Sequence, residues 1–220
     1  MMTVRHFLAI AMAFLLAGIP VPARPEVLGV VVQANRAHLN TNAVSEGTTV
    51  YDGDQFSTDE GGTLRLRSDA AMLDLAEESR IIVRSRVNAA KDTEALLTVG
   101  TVVFSAARAT AMEIQAQEAR IRPVADAPTI GQVSVDGPKE LRVYARRGAL
   151  QFSYRDETET IAEGQSYRVV LDPPDDDPKT EQSAKKSGRR RKTFLFILIV
   201  ASVAGLSPII DKGFESPDRP

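Results

Sequence analysis

A chain of 220 residues, 43% hydrophobic and 25% charged with a formal net charge of −2, can build one core of ordinary size but, once its ends are set aside, not two. That near-neutral balance lacks the basic footprint of a nucleic-acid binder, and the absence of Trp with only 5% aromatic residues argues against a platform for stacking single-stranded bases. There is no cysteine, which excludes disulfides, a thiol nucleophile and a thiolate metal site while leaving an oxidising compartment allowed.

In chain order, Arg5 and His6 precede an apolar run from Phe7 to Ile19, the length of a secretory h-region and short for a span. Val21 and Ala23 suit the minus-three and minus-one positions of a cut after Ala23. Residues 1–23 are therefore expected to be a signal peptide, with an uncleaved N-terminal anchor as the alternative.

From Val27 to Leu171 short β-branched and alternating segments follow one another between turn residues: LGVVVQAN, TTVY, TLRLR, AMLDLA, RIIVRS, LLTVGTVVFSA, MEIQA, ARIRPV, GQVSVD, ELRVYARRGALQFSYR and ETIAEGQSYRVVL. That spacing predicts an all-β domain over 24–171, a single compact unit of many short, mostly antiparallel strands in sandwich or solenoid-like layers. No stretch carries a sustained helical stripe. Alanine makes a short helix possible at 70–76 and 106–119, and strand is the expectation at both. Asp69, Asp74 and Asp92 are read as turn neighbours, and Pro123, Pro128 and Pro138 as edge or loop residues, since proline cannot donate to a ladder. Alternation at Leu64, Arg65, Leu66 and Arg67 puts leucines on one face. The expected core is Leu64, Leu66, Leu73, Leu75, Ile82, Val102, Phe104, Leu141, Val143, Leu150, Phe152, Val169 and Leu171.

The densest turn and strand signals lie between Glu46 and Leu66, EGTTVYDGDQFSTDEGGTLRL. Here Asp52 and Gly53 make one turn, and Gly61 and Gly62 another. The order of Gly47, Gly53, Asp54 and Thr58, then T-L-R-L-R, SRIIV at 79–83 and LTVGTVVFS at 97–105, resembles the FecR domain over roughly Val27 to Leu171. These are bacterial envelope domains named after a regulator of iron uptake that relays a signal across the inner membrane. The resemblance implies a periplasmic sensor or regulator. Family regulators of sigma factors carry a cytoplasmic region ahead of a membrane helix, whereas only Met1 to His6 precede the first apolar run here. A direct sigma-factor role is thus not expected without a partner to supply it.

One internal echo is visible, with Gly100, Val102, Phe104 and Ser105 recurring as Gly148, Leu150, Phe152 and Ser153. It suggests two similar layers that bury a shared face, against chance likeness of two glycine-started strands. Beyond Leu171 the composition becomes acidic and then basic, DPPDDDPKTEQSAKKSGRRRK, which reads as a solvated linker over 172–193. The next 17 residues, 194–210, carry no charge, and this length lies at the lower limit for a transmembrane helix. A buried core helix is the poorer alternative, since the run is apolar on every face and only a polar tail, 211–220, follows it.

Chemistry-bearing constellations are thin. His6 leaves with the expected signal peptide and His38 stands among asparagines, framed by no hydrolase or zinc-protease motif. Asp52, Asp54, Asp59 and Glu60 gather on a turn as calcium ligands would, but Phe56 and Ser57 stand where an EF-hand needs a ligand and a glycine. Glu77 with Glu78, and Asp156, Glu157 and Glu159, are pairs that a glycosidase could use, yet they sit among polar turn residues without a desolvated partner. No catalytic, cofactor-binding or metal site is assigned and no cofactor is expected.

The expected protein is accordingly a non-enzymatic, membrane-anchored interaction or sensing module with an envelope protein or polysaccharide as partner, and neither nucleic acid nor a small-molecule substrate. A structural or glycan-binding envelope protein is the alternative. The expected place is the inner membrane with the β-domain facing the periplasm, because of the exit motif ending at Ala23. The basic run Lys185–Lys192 beside the second apolar segment favours the opposite orientation, a cytoplasmic domain on a C-terminal tail anchor.

Overall fold

The computed structural model describes residues 26–86, 93–173 and 194–199. Within them are fifteen strands: β1 (Val27–Leu39), β2 (Asn42–Ala43), β3 (Thr49–Tyr51), β4 (Gln55–Arg67), β5 (Ala71–Leu75), β6 (Arg80–Ser85), β7 (Thr93–Ala106), β8 (Met112–Ala116), β9 (Ala119–Pro123), β10 (Thr129–Gly137), β11 (Glu140–Arg147), β12 (Leu150–Tyr154), β13 (Glu157–Ile161), β14 (Ser166–Leu171) and β15 (Phe194–Leu198). All join one hydrogen-bonded sheet. Each pairing is antiparallel except that of β7 with β8. The all-β expectation is met, including strands at 71–75 and 112–116, where alanine had left a helix open.

Two long strands, β4 and β7, fold that sheet into two layers. The first half of β4 pairs with β6 and its second half with β5. β7 divides likewise, with β6 and β8 along residues 93–99 and β5 and β10 along 100–106. One layer continues from β8 through β9 and β12 to β13, and the other from β10 through β11 and β14 to β15. The crossings need unusual backbone. Gly100, with φ +85°, lies so near Ser79 that an added Cβ would come within 2.3 Å of its hydroxyl, and only glycine suits both demands. Beyond it the inward phase of β7 changes, from Thr93, Ala95 and Leu97 to Val102, Phe104 and Ala106.

One continuous apolar core fills the space between the layers. Of the thirteen expected core residues, twelve are buried; the exception is Ile82, whose neighbours Ile81 and Val83 point inward instead. The two halves of the internal echo lie in opposite layers, with Phe104 and Phe152 both fully buried. Gly131 lies between them, where a Cβ would meet Phe104 at 2.6 Å and Leu150 at 2.9 Å. Its missing side chain lets those two pack over the β10 backbone.

Two elements depart from expectation. Asp74 lies inside β5, directly opposite Arg65 on β4, rather than beside a turn. The first residues of the expected membrane helix, Phe194–Leu198, form strand β15, so the layer runs past the expected domain boundary at Leu171. The reason is visible in their surroundings: Phe194 and Phe196 find an aromatic surface on β12 and β14 that the apolar run alone does not reveal. Among the described residues no helix is long and apolar enough to cross a membrane. The expected signal peptide 1–23, nearly all of the linker 172–193, residues 200–210 of the expected span, the tail 211–220 and Asp92 lie outside the described residues.

Candidate functional surface

The acidic cluster of the Asp-Gly-Asp turn is engaged in holding strands. Asp52 Oδ1 accepts the Ser85 N–H and Asp54 Oδ2 accepts the Tyr51 N–H, each at 2.8 Å. Gly53 N–H donates to the Val83 carbonyl, and Val83 N–H returns a bond to the Asp54 carbonyl, both at 2.9 Å. The turn is thereby stitched to β6. Asp59 lies 3.6 Å from His38 Nδ1 across an exposed corner. There Arg36 donates to the Glu60 carbonyl and Glu77 Oε2 accepts the Gly61 N–H at 2.8 Å. His38 therefore faces a carboxylate rather than only the neighbouring asparagines. No group of three or more His, Cys, Asp or Glu suited to a metal ion occurs among the described residues.

The three remaining carboxylates lie on or between strands that pair with neither β5 nor β6, the strands flanking Glu77 and Glu78. Asp156 occupies the turn between β12 and β13, with Glu157 and Glu159 on β13, the end strand of its layer. Near them, Asp172 gathers Arg155 at 2.9 Å, Lys139 at 3.7 Å and the Tyr154 hydroxyl, which donates to it at 3.1 Å. Burial raises the Tyr154 hydroxyl above its ordinary pKa, and the hydrogen bond to Asp172 adds to that. A small cavity of about 10 Å³ lies between the layers, lined by Leu28, Leu66, Leu73, Val83, Thr93 and Met112 among others. It has room for roughly one water.

Two polar features escaped the sequence. Thr58, Ser79, Thr101 and Ser134 form a chain of hydroxyls through the sheet. Thr58 donates to the Ala76 carbonyl at 2.5 Å and accepts the Ser79 N–H at 3.0 Å; Ser79 accepts the Thr101 N–H at 2.9 Å, and Thr101 bonds Ser134 at 2.8 Å. Glu113, buried on β8, is met by Arg86 at 3.2 Å and Arg120 at 3.9 Å. Thr58 stood in the quoted motif; nothing local distinguishes Glu113 from a solvated carboxylate.

The rims offer contrasting surfaces. β13 exposes Thr158, Glu159 and Thr160, with Glu157 half-buried before them, the polar treatment usual for an exposed edge. β15 exposes Leu195, Ile197 and Leu198 while burying Phe194. This apolar outer rim and the strand edge beside it are the part of the described surface most suited to binding an extended segment or a lipid.

No family model matches the chain, and no curated protein matches it. Among solved structures, it is similar to two crystal structures of a candidate anti-sigma factor from Parabacteroides distasonis ATCC 8503, solved at 1.65 Å and 2.50 Å. Each has a TM-score of 0.43 and 11% identity, over 53% of this chain and 54% of the other. The chain thus spans about half the length of the structures it matches.

Proposed function

We propose that the protein is a non-enzymatic, FecR-like β-module, exported from the cytoplasm, held at the inner membrane by its C-terminal apolar run and working by binding an envelope protein. The FecR likeness rests on Gly47, Gly53, Asp54 and Thr58. In the fold, Asp54 closes its turn and Thr58 bonds the β5–β6 connection, roles that a scaffold motif would have. The observation that supports the binding role is the end of the layer at β14 and β15, where an apolar segment and an aromatic surface meet at a sheet edge. Such a rim recognises an extended segment by main-chain hydrogen bonds with apolar pockets for alternate side chains.

Because the chain lacks cysteine, Ser45→Cys in an exposed loop gives a single reporter thiol. A maleimide that crosses the outer but not the inner membrane should label it in intact cells. A thiol that reacts only after lysis overturns export. For the partner, the full chain is the right bait, since a bait ending at residue 183 lacks the apolar run 194–210 that this reading makes the anchor. Recovery of peptidoglycan or polysaccharide alone would favour the structural reading instead.

A further inference from the structure

Strand β15 and the expected membrane span claim the same residues. As a strand, Phe194–Leu198 lies antiparallel to β14, with Phe194 opposite Leu171 and Leu198 opposite Tyr167. The Ile199 N–H extends the ladder to the Ser166 carbonyl at 2.9 Å. The inward rings of Phe194 and Phe196 meet Phe152 edge-on at 5.1 and 5.2 Å, and Tyr167 packs on Phe196 at 5.2 Å. While 194–199 are held this way, the apolar run retains only the eleven residues 200–210. Even a full helix of that length reaches about 16 Å, against the ~30 Å of a hydrocarbon core. Docking and spanning therefore exclude each other.

Two further observations mark β15 as a resident that can leave. No tight turn ties it to its neighbour: residues 172–193 separate it from β14, although antiparallel strands can be joined through as few as two residues. Its side chains Leu195 and Ile197 on the outer face and Leu198 at the end of the inner one are 49%, 42% and 51% exposed. An edge strand facing water is usually blunted by charge; one apolar on both faces matches a bilayer better than it matches its seat.

We propose that the β14 edge is a strand-acceptor site whose resident, Phe194–Leu198, is given up when that segment enters a bilayer. The membrane-inserted chain then presents the edge, above Phe152, Tyr154 and Tyr167, to an extended peptide with aromatic residues two apart. The occupant's chemistry is read from the resident, whose Phe194 and Phe196 fill the aromatic slot. The inference rests on the membrane-anchoring reading and adds what anchoring does to the domain.

The pair Tyr167→Cys and Leu198→Cys places two thiols on directly opposed residues of the β14–β15 ladder. In the full chain they should oxidise readily in solution. With phosphatidylethanolamine and phosphatidylglycerol vesicles, the reduced form should become resistant to carbonate extraction and the oxidised form at least tenfold less so. Equal insertion of both forms overturns this inference and leaves anchoring intact; insertion of neither overturns both. Failure of the thiols to pair overturns the docked seat. A second measurement uses the unsubstituted chain. The amides of Arg168 and Val170 face β15, since Leu171 N–H is given to Lys139 on the other side and partners alternate along the ladder. Hydrogen exchange at both should speed up at least tenfold on insertion, and slow again when a soluble Phe-x-Phe peptide is added. Unchanged exchange on insertion, or no slowing with peptide, overturns the acceptor site.

Discussion

The crossing of β4 and β7 and the rim formed by β14 and β15 hold strands together by different means. At the crossing, Thr58, Ser79 and Thr101 bond one another and the backbone within a sheet where Thr58 and Ser79 are almost wholly buried. Directional bonds among short side chains tolerate one register only, because a slip would strand donors away from water. At the rim, β15 is seated by a backbone ladder and by rings that any apolar environment could receive. The first region specifies the fold, and the second closes it with an apolar segment at the end of a layer.

The largest expected effect breaks the two regions apart. Phe104→Ala removes a fully buried ring from the strand common to both layers and should destabilise the domain by about 3–5 kcal/mol in urea titration. Phe152→Ala deletes a ring of equal burial and should cost about as much. Phe194→Ala should cost distinctly less, since it can free β15 alone as a local opening. Near-neutral melting of Phe104→Ala, or equal losses for Phe104→Ala and Phe194→Ala, would erase the distinction.

Gly100→Ala probes the crossing itself. Its left-handed backbone and the approach to Ser79 Cα at 2.5 Å and Glu78 O at 2.7 Å should together cost about 3 kcal/mol, seen as a lower unfolding midpoint. Thr58→Val keeps the shape but leaves the Ser79 N–H without this hydroxyl acceptor, at a cost of about 1–3 kcal/mol. Its amide should also exchange faster than those of β14, a result that a role in side-chain packing alone would not give.

The smallest effect is a pH dependence. Burial raises the Asp74 carboxyl above its ordinary value, outweighing the opposing pull of Arg65 at 2.5 Å. The folded state then binds that proton more tightly than the unfolded one. Asp74 therefore favours folding most at acid pH, and its contribution declines as pH rises from about the ordinary value of 3.8 through the raised folded value. Glu140, lowered chiefly by its hydrogen bond from Arg168, has the opposite sign: its contribution is present above 4.5 and lost as pH falls through its folded value. Subtracting the stability profile of Asp74→Asn from that of the parent chain should leave a difference that falls with rising pH. A flat difference would show that Asp74 is not desolvated.

By itself the sequence determined the all-β class and most of the core phase. Alternation at Leu64 and Leu66, Leu73 and Leu75, and Val102 and Phe104 is local, and a strand with one buried face admits one reading of it. The same rule could not place β6, where Ile81, Ile82 and Val83 are all apolar and either phase fits; pairing of Ile81 with Leu97 decided it. Asp74 and Glu113 resembled solvated carboxylates until Arg65, Arg86 and Arg120 were brought from distant strands to meet them. The apolar run from Phe194 read as a membrane span, and nothing within it pointed to a seat on the sheet. Only the tertiary structure, by setting Phe152 and Tyr167 beside an open edge, supplied a surface on which its first residues become a strand.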